Sequence, residues 1–382
     1  MRYGIVGTGM MGREHMRNIA LLPNAEIAAI ADPDDAMRVL ATDLASELGH
    51  APRVYRHPAD LLARERSVDA LVVCVPNHLH HAVMVEAMAT GLPILCEKPL
   101  ATTAADAWDL AALGEERSAA VWVAMEYRYM PPVAAMIDAV HDGTLGTAHM
   151  LSIREHRFPF LVKVGAWNRS ALQSGGTMVE KCCHFFDLMR LILRSEPTRL
   201  YASGGQAVNH LVDDGTGAAD VSDHGFVVID FESGARASLD LCMFAEGSYW
   251  QEEISVVGSA AKIEARVPGP ARFWPGGGER EAELVLSPRS EKGPVKVPVP
   301  VDETVLNAGD HHGSVFYQHR AFARMVRRGG RPAVSLRDGA IAVEVGLAAE
   351  ASMRTGEPVA LDPARWDGRG GRGGAPVLQA AE

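Results

Sequence analysis

No apolar run in the chain approaches the roughly 20 residues that a bilayer-spanning helix needs, so no membrane span is expected. Cysteine is scarce. Cys74, Cys96, Cys182, Cys183 and Cys242 are scattered and odd in number, which argues against a disulfide framework and for a reducing compartment. The opening residues, MRYGIVGTGMMG, enter an apolar strand at once and lack the layout of a secretory signal. A cytoplasmic protein is the expectation. Positive charge is also in deficit, with 37 Lys and Arg against 48 Asp and Glu and a formal net charge of −11. That balance opposes nonspecific attachment to nucleic acid and to anionic membranes, and neither is expected as a partner. An anionic small molecule would have to be held locally, for instance by backbone N–H groups.

What is present is a regular alternation. Apolar runs at 2–6 (RYGIV), 25–32 (AEIAAIAD), 68–76 (VDALVVCVP), 92–99 (LPILCEKP) and 120–126 (AVWVAME) read as strands, with a shorter one around Val54. Helical spacing from Met11 to Leu22, and near 34–48, 58–64, 78–89 and 103–116, fills the gaps. Strands alternating with helices imply right-handed crossovers and a parallel sheet covered on both faces. Past about residue 128 longer strands take over, with hairpin turns at Ser233-Gly234 and Gly258-Ser259. One long helix, 176–193, is expected early in this half, an irregular loop or edge strands over 265–300, and two closing helices near 313–328 and 336–355. The predicted fold is therefore α/β: an N-terminal parallel sheet over 1–128, then an α/β domain over 129–361 with a large, open, mostly antiparallel sheet. Residues 362–382, rich in glycine, are expected to form a disordered tail. An open sheet needs cover, so a homodimer or homotetramer is expected.

The first strand runs into GTGMMG, which places Gly7, Gly9 and Gly12 in the G-x-G-x-x-G spacing with Thr8, Met10 and Met11 between them. Strand before and helix after are the context in which this pattern binds a dinucleotide. Gly7 permits the tight turn, Gly9 lets the backbone approach a pyrophosphate, and Gly12 allows close helix–strand packing. The helix N-terminus offers free N–H groups to the phosphates. Asp32 ends the second strand, 20 positions after Gly12, where a carboxylate can accept both ribose hydroxyls of NAD and repel a 2′-phosphate. Pro33, Asp34 and Asp35 follow, and the first arginine is Arg38, so NAD is the expected cofactor and this half a Rossmann domain.

Ligands of such sheets lie beyond the carboxyl ends of the strands. Two ends are polar: Pro76, Asn77, His78, His80 and His81 after one strand, and Glu97, Lys98 and Pro99 after the next. Pro76, Asn77, His80, Glu97 and Lys98 are therefore assigned to the cofactor crevice. The histidines do not share one helix face and no carboxylate or cysteine spacing accompanies them, so no metal is expected.

Taken together, GTGMMG, Asp32, VPNHLH at 75–80, CEKPLA at 96–101 and the glycine pair Gly175-Gly176 followed by His184 resemble the Gfo/Idh/MocA family of glucose–fructose oxidoreductases, inositol dehydrogenases and related sugar enzymes. The resemblance runs from Arg2 to about Leu361. It implies a nicotinamide site between the two domains, a lysine at position 98 near the reacting hydroxyl, and a frequently cis Lys98-Pro99 bond. The family's second-domain motif, G-G-x-x-x-D-x-x-x-H, reads Gly175, Gly176, Glu180 and His184, with glutamate replacing aspartate.

Oxidising a secondary alcohol requires a group to take the hydroxyl proton as hydride leaves, and imidazole suits that task near neutrality. His184 is expected as general acid/base. Lys98 would bond the same oxygen or share the proton, with a pKa lowered by desolvation beside an oxidised nicotinamide. Glu180, four residues before His184 on the expected helix, would orient substrate hydroxyls or tune Lys98 and His184. Cys182 and Cys183 are read as small buried apolar residues. His156, Arg157, Trp167 and Asn168 are candidates to hold a polyol, as is His312 or its neighbour His311. Tyr127 and Arg128 mark the domain junction, with Arg128 a candidate ion-pair anchor. The resulting expectation is NAD-dependent oxidation or reduction of a secondary hydroxyl of a sugar, cyclitol or glycoside. The alternatives are a redox-neutral, NAD-using glycosidase of the same family and a non-catalytic dinucleotide-binding regulator.

Overall fold

Burial follows the sequence pattern closely in the N-terminal half. In the computed structural model, which describes residues 1–212, 219–270, 273–274, 280–290 and 292–366, the first strands are buried on both faces, save the exposed edge strand Arg53–Tyr55. They are β1 (Arg2–Val6), β2 (Glu26–Ala31), β3 (Arg53–Tyr55), β4 (Ala70–Val73), β5 (Ile94–Cys96) and β6 (Val121–Val123). All neighbours pair in parallel, in the order β3-β2-β1-β4-β5-β6. The order reverses at β1, so a crevice opens beyond the carboxyl ends of β1 and β4. Asp34 caps the Asp35–Glu47 helix through Met37 N–H, which leaves Asp32 free of that duty.

The second half forms β7 (Ala148–His156), β8 (Pro197–Gly205), β9 (His224–Phe231), β10 (Arg236–Cys242), β11 (Glu252–Gly258), β12 (Ala261–Val267), β13 (Ala282–Pro288), β14 (Val295–Val299) and β15 (Val359–Ala360). They make one nine-stranded sheet, β14-β13-β12-β11-β7-β10-β9-β8-β15. Ladders are antiparallel except β7 with β10, so the sheet is mixed but mostly antiparallel. Side chains alternate. Val227, Ile229, Leu239 and Ile254 enter the core, whereas Met150, Phe226 and Val228 stand exposed on the other face. The expected hairpin turns occur, and β13 and β14 supply the edge strands of 265–300.

Three features differ from the sequence reading. Pro131–His141 is a helix, started by prolines at its first positions and buried through Val133, Met136 and Ile137. The closing segment does not stop at 361: Pro363–Trp366 is a helical turn with Trp366 buried, and residues 367–382 of the expected tail lie outside the described residues. The expected 176–193 helix is two helices, Thr177–Glu180 and Cys183–Leu193. At the break the N–H groups of both Lys181 and Cys182 reach Thr177 O, a local widening by one residue. The Glu180 carbonyl there accepts from the Lys98 ammonium at 3.1 Å. Glu180 and His184 are thus not an i, i+4 pair on one continuous helix.

The Leu336–Thr355 helix joins the halves. Its start carries a capping box of Ser335 and Asp338. Leu336, Ala340 and Val343 pack in the N-terminal core, and Ile341, Val345 and Ala348 in the second.

Candidate active site

The glycine loop is built as a cradle. Gly7 has φ +91, and a Cβ there would lie 2.5 Å from Cys74 O. A Cβ on Gly12 would lie 2.2 Å from Gly7 O, whereas one on Gly9 would meet no protein atom within 4 Å. Gly7 and Gly12 are therefore demanded by packing, and Gly9 faces open space. That space is a cavity of about 310 Å³ lined by Gly7, Gly9, Met10, Met11, Asp32 and Arg13, among others. Thr8 and Gly12 are buried behind the loop. The Asp32 carboxylate is oriented by the protein: Oδ2 accepts from Thr8 N–H at 2.7 Å and from the Thr8 hydroxyl at 3.2 Å, and Oδ1 from Asp34 N–H at 2.9 Å. An open glycine, a helix N-terminus and a fixed carboxylate fit a dinucleotide. Arg38 donates to Asp32 O at 2.6 Å and pairs with Asp35. Arg13, which the sequence reading overlooked, is anchored on Thr8 O at 2.8 Å. Its position, directly after the third glycine, was the available signal.

The far end of the same cavity holds the polar strand ends. Pro76, Asn77, His80, Glu97 and Lys98 line it. Asn77 donates to Ser174 O at 3.2 Å, and the Lys98-Pro99 bond is cis. His80 faces two carbonyls, Pro99 O at 2.7 Å and Val75 O at 2.9 Å, so its ring clamps the two loops together. Burial pushes its pKa down. His78 is exposed and His81 pairs with Asp109 at 2.7 Å, so the three histidines part. Among the described residues no cluster of His, Cys, Asp and Glu is arranged to hold a metal ion. Glu97 accepts from a buried histidine, His15, at 2.9 Å, and His15 in turn meets His319 at 2.7 Å.

Lys98 and Glu180 do come together. Glu180 Oε2 lies 4.0 Å from Lys98 Nζ, and Oε1 lies 3.3 Å from Nζ of Lys163, a second lysine that the sequence reading missed. Burial opposes the charge on Glu180, but Lys98, Lys163 and Lys181 outweigh it and bring its pKa down to about 2. Lys98 moves opposite to the expectation. Desolvation lowers its pKa, yet Glu180, Cys183, Glu126 and Glu97 together hold it above the usual lysine range. Lys163 is pulled down by burial, despite Glu180, and sits over the Trp167 ring at 4.4 Å.

His184 is buried behind this group. Its ring stacks on Tyr127, centroids 4.3 Å apart and planes 8° apart. Nε2 lies 3.5 Å from Glu126 Oε1. Burial first, then the charges of Lys98 and Lys181, push its pKa well below 6.5, so the ring is neutral. Lys98 and His184 are thus within electrostatic reach of one another, but only Lys98 lines the cavity. Cys182 and Cys183 are fully buried, with pKa values raised by desolvation.

The substrate candidates divide. Trp167 lines the cavity. Asn168 is buried, and its amide donates to Leu161 O at 2.9 Å. His156 faces Asp240 at 3.1 Å, and Arg157 stands 3.7 Å from Glu155 and over the Phe158 ring at 4.2 Å; neither lines the cavity. His312 lines a different cavity, of about 450 Å³, between the Met10–Ala20 helix and the 306–312 loop. Its pKa falls to about 4 through burial. Its neighbour His311 lies 2.6 Å from Glu14, with its ring 6.4 Å from that of Tyr127, centroid to centroid.

A family described as "Oxidoreductase family, NAD-binding Rossmann fold" matches residues 1–125, and its "C-terminal alpha/beta domain" matches residues 137–361. A myo-inositol 2-dehydrogenase of Thermotoga maritima is 27% identical over 366 residues, 95% of this chain and 99% of that protein. A crystal structure of a probable dehydrogenase from Thermotoga maritima superimposes with a TM-score of 0.75 at 25% identity, covering 94% of this chain and 98% of that one. A levoglucosan dehydrogenase in complex with NADH and levoglucosan shares the fold, with a TM-score of 0.78 at 19% identity, covering 94% and 99%.

Proposed function

The chain belongs to the Gfo/Idh/MocA oxidoreductase family, and on that premise we propose that it oxidises a secondary hydroxyl of a cyclitol or sugar with NAD. The observation that carries the proposal is the shared cavity: the glycine cradle and Asp32 at one end, the Lys98 ammonium at the other. Gly7, Gly9, Met10, Met11 and Asp32 would hold the dinucleotide, with Pro76 and Asn77 along its path. When bound, NAD supplies the hydride acceptor. Lys98 remains a cation and donates to the substrate oxygen, stabilising the charge that develops as the O–H proton leaves. Glu180 keeps Lys98 charged and in place. His184, buried behind it and not itself lining the cavity, is assigned as the proton acceptor on its nearness to Lys98. Trp167 and Lys163 offer a stacking face and a donor for further hydroxyls. A cyclitol is the first candidate because the 27%-identical relative, matched over nearly its whole length, is a myo-inositol 2-dehydrogenase.

The test is direct. Purified protein mixed with NAD and a panel including myo-inositol should generate NADH absorbance with at least one member. Products forming without accumulating NADH would instead indicate a redox-neutral reaction. Tight NAD binding with no product from any member would indicate a regulator.

Cofactor choice has its own prediction. Asp32→Ala removes the carboxylate aimed at the ribose and should raise KM for NAD about tenfold to a hundredfold, the worth of one or two charged hydrogen bonds. It should also narrow the discrimination against NADP, because Arg13 lines the same cavity. Parallel KM measurements with the two cofactors check this. Met150, Phe226 and Val228 on the open sheet face support self-association as a dimer or tetramer, which light scattering would read.

A further inference from the structure

We propose that Glu126 is the positioning residue behind His184, taking the Nε2 proton of the imidazole as Nδ1 takes the proton of the substrate hydroxyl. The proposal rests on the reading of His184 as acid/base and adds a residue that the family pattern in this sequence did not contain.

The geometry is specific. Glu126 opens the turn Glu126–Tyr129 directly beyond β6 and is 1% exposed. Neither of its carboxylate oxygens has a hydrogen-bond partner beyond the residue's own backbone N–H, and His184 Nδ1 has none. Oε1 faces His184 Nε2 at 3.5 Å, a separation that a small ring movement closes to a hydrogen bond. Stacking on Tyr127 holds the ring plane. A buried carboxylate without a donor is costly, and the imidazole stands within ion-pair distance to relieve it.

The charges explain why His184 needs such a partner. Lys98, Lys181, His311 and Arg157 all oppose an imidazolium at this place, and burial opposes it further. A proton received by His184 therefore cannot stay there as net charge. Glu126 is suited to take one. Burial pushes its carboxyl up to about 7, the charge on Glu97 adds to this, and His311 and Lys98 oppose it. Cys183, on the same helix as His184, is a buried neutral thiol and cannot compete. His311 is itself tied to Glu14.

The bookkeeping of the step is simple. The substrate O–H bond breaks and Nδ1–H forms; Nε2–H breaks and a carboxyl O–H forms on Glu126. The hydride leaves the carbon for NAD, the named oxidant, as the carbonyl forms. His184 is neutral before and after, as the opposite tautomer, and Glu126 has gained the proton.

The tautomer is observable without turnover. In full-length protein labelled with ¹⁵N-histidine, with no cofactor or substrate added, His184 should carry its proton on Nε2 above about pH 7. It should switch to Nδ1 below, with no imidazolium signal. In Glu126→Gln the switch should vanish, and in Glu126→Asp it should persist. The oxidation kcat of Glu126→Gln should fall about 10²-fold, with Glu126→Asp recovering part of the loss. Titration of wild-type His184 to an imidazolium near pH 7, or an unchanged switch in Glu126→Gln, would overturn the proposal. Should Glu126→Gln not fold, the wild-type titration decides alone. If His184→Ala retains full turnover, the underlying acid/base reading fails. If His184→Ala is inactive while Glu126→Gln is fully active, only the present proposal fails.

Discussion

Lys98→Met should lower kcat for polyol oxidation by about 10³-fold, through loss of a donor aimed at the oxygen where charge develops. Methionine keeps an unbranched side chain nearly as long and removes the cation. The fold should survive, because Glu180 retains Lys163 at 3.3 Å as a counter-ion. Circular dichroism checks the fold and initial rates of NADH formation check the turnover. An unchanged kcat would remove Lys98 from the chemistry. The pH dependence sharpens the assignment. Burial opposes the charge on Lys98, but its acidic neighbours, Glu180 foremost, hold its pKa above the usual lysine value, so the ammonium persists across the neutral and mildly alkaline range. A group acting as a permanent cation produces no ionisation limb there. The wild-type kcat profile should therefore show no lysine-type limb between about pH 7 and pH 10. A lysine acting as the base would show one, because its rate would rise as it lost its proton.

Much of this site was legible in the residues because its parts sit at strand ends. A glycine pattern after a strand, a carboxylate ending the next strand and Glu97-Lys98-Pro99 ending another are local signals, and topology brings strand ends to one crevice. The cavity lined by Gly9, Asp32 and Lys98 is the outcome. What was illegible depends on long-range pairing. Lys163 lies in an irregular segment, and only the fold shows that it shares Glu180 with Lys98. Glu126 reads as the last residue of a strand; its isolation from any hydrogen-bond donor beyond its own backbone N–H is a property of the packed interior. The helix break at Lys181 has no proline or glycine to announce it, since the widening is stabilised by Lys98 from another domain. His80 shows the converse. Its position beside a strand end suggested a ligand contact; the residue does line the cavity, and the fold adds that its ring also meets two backbone carbonyls. The parallel pairing of β7 with β10 likewise follows from the order of the sheet, which strand patterning alone does not encode.

Asp187→Asn should destabilise the protein by about 3–5 kcal/mol and lower Tm by about 5 °C, measured by calorimetry. Asp187 is fully buried and accepts two bonds from Arg128, one of them from Nε at 2.5 Å. A third Arg128 donor reaches Ala333 O at 2.8 Å, in the segment leading into the Leu336–Thr355 helix. Removing the carboxylate charge leaves a largely buried guanidinium without compensation, which costs more than the pair is worth against an apolar replacement. The double variant Arg128→Met, Asp187→Leu should therefore recover most of the lost Tm, and failure to do so would mean that packing, not charge, dominates there. The pair also bears on the chemistry. Arg128 is two residues from Glu126, and Asp187 is one helical turn beyond His184. The ion pair ties the turn beyond β6 to the helix that carries the imidazole, and is expected to help hold the Glu126–His184 separation. The double variant, though stable, should accordingly turn over more slowly than wild type with little change in KM for NAD, since the glycine cradle lies elsewhere. Full turnover in that variant would show that the separation is fixed by the Tyr127 stack alone.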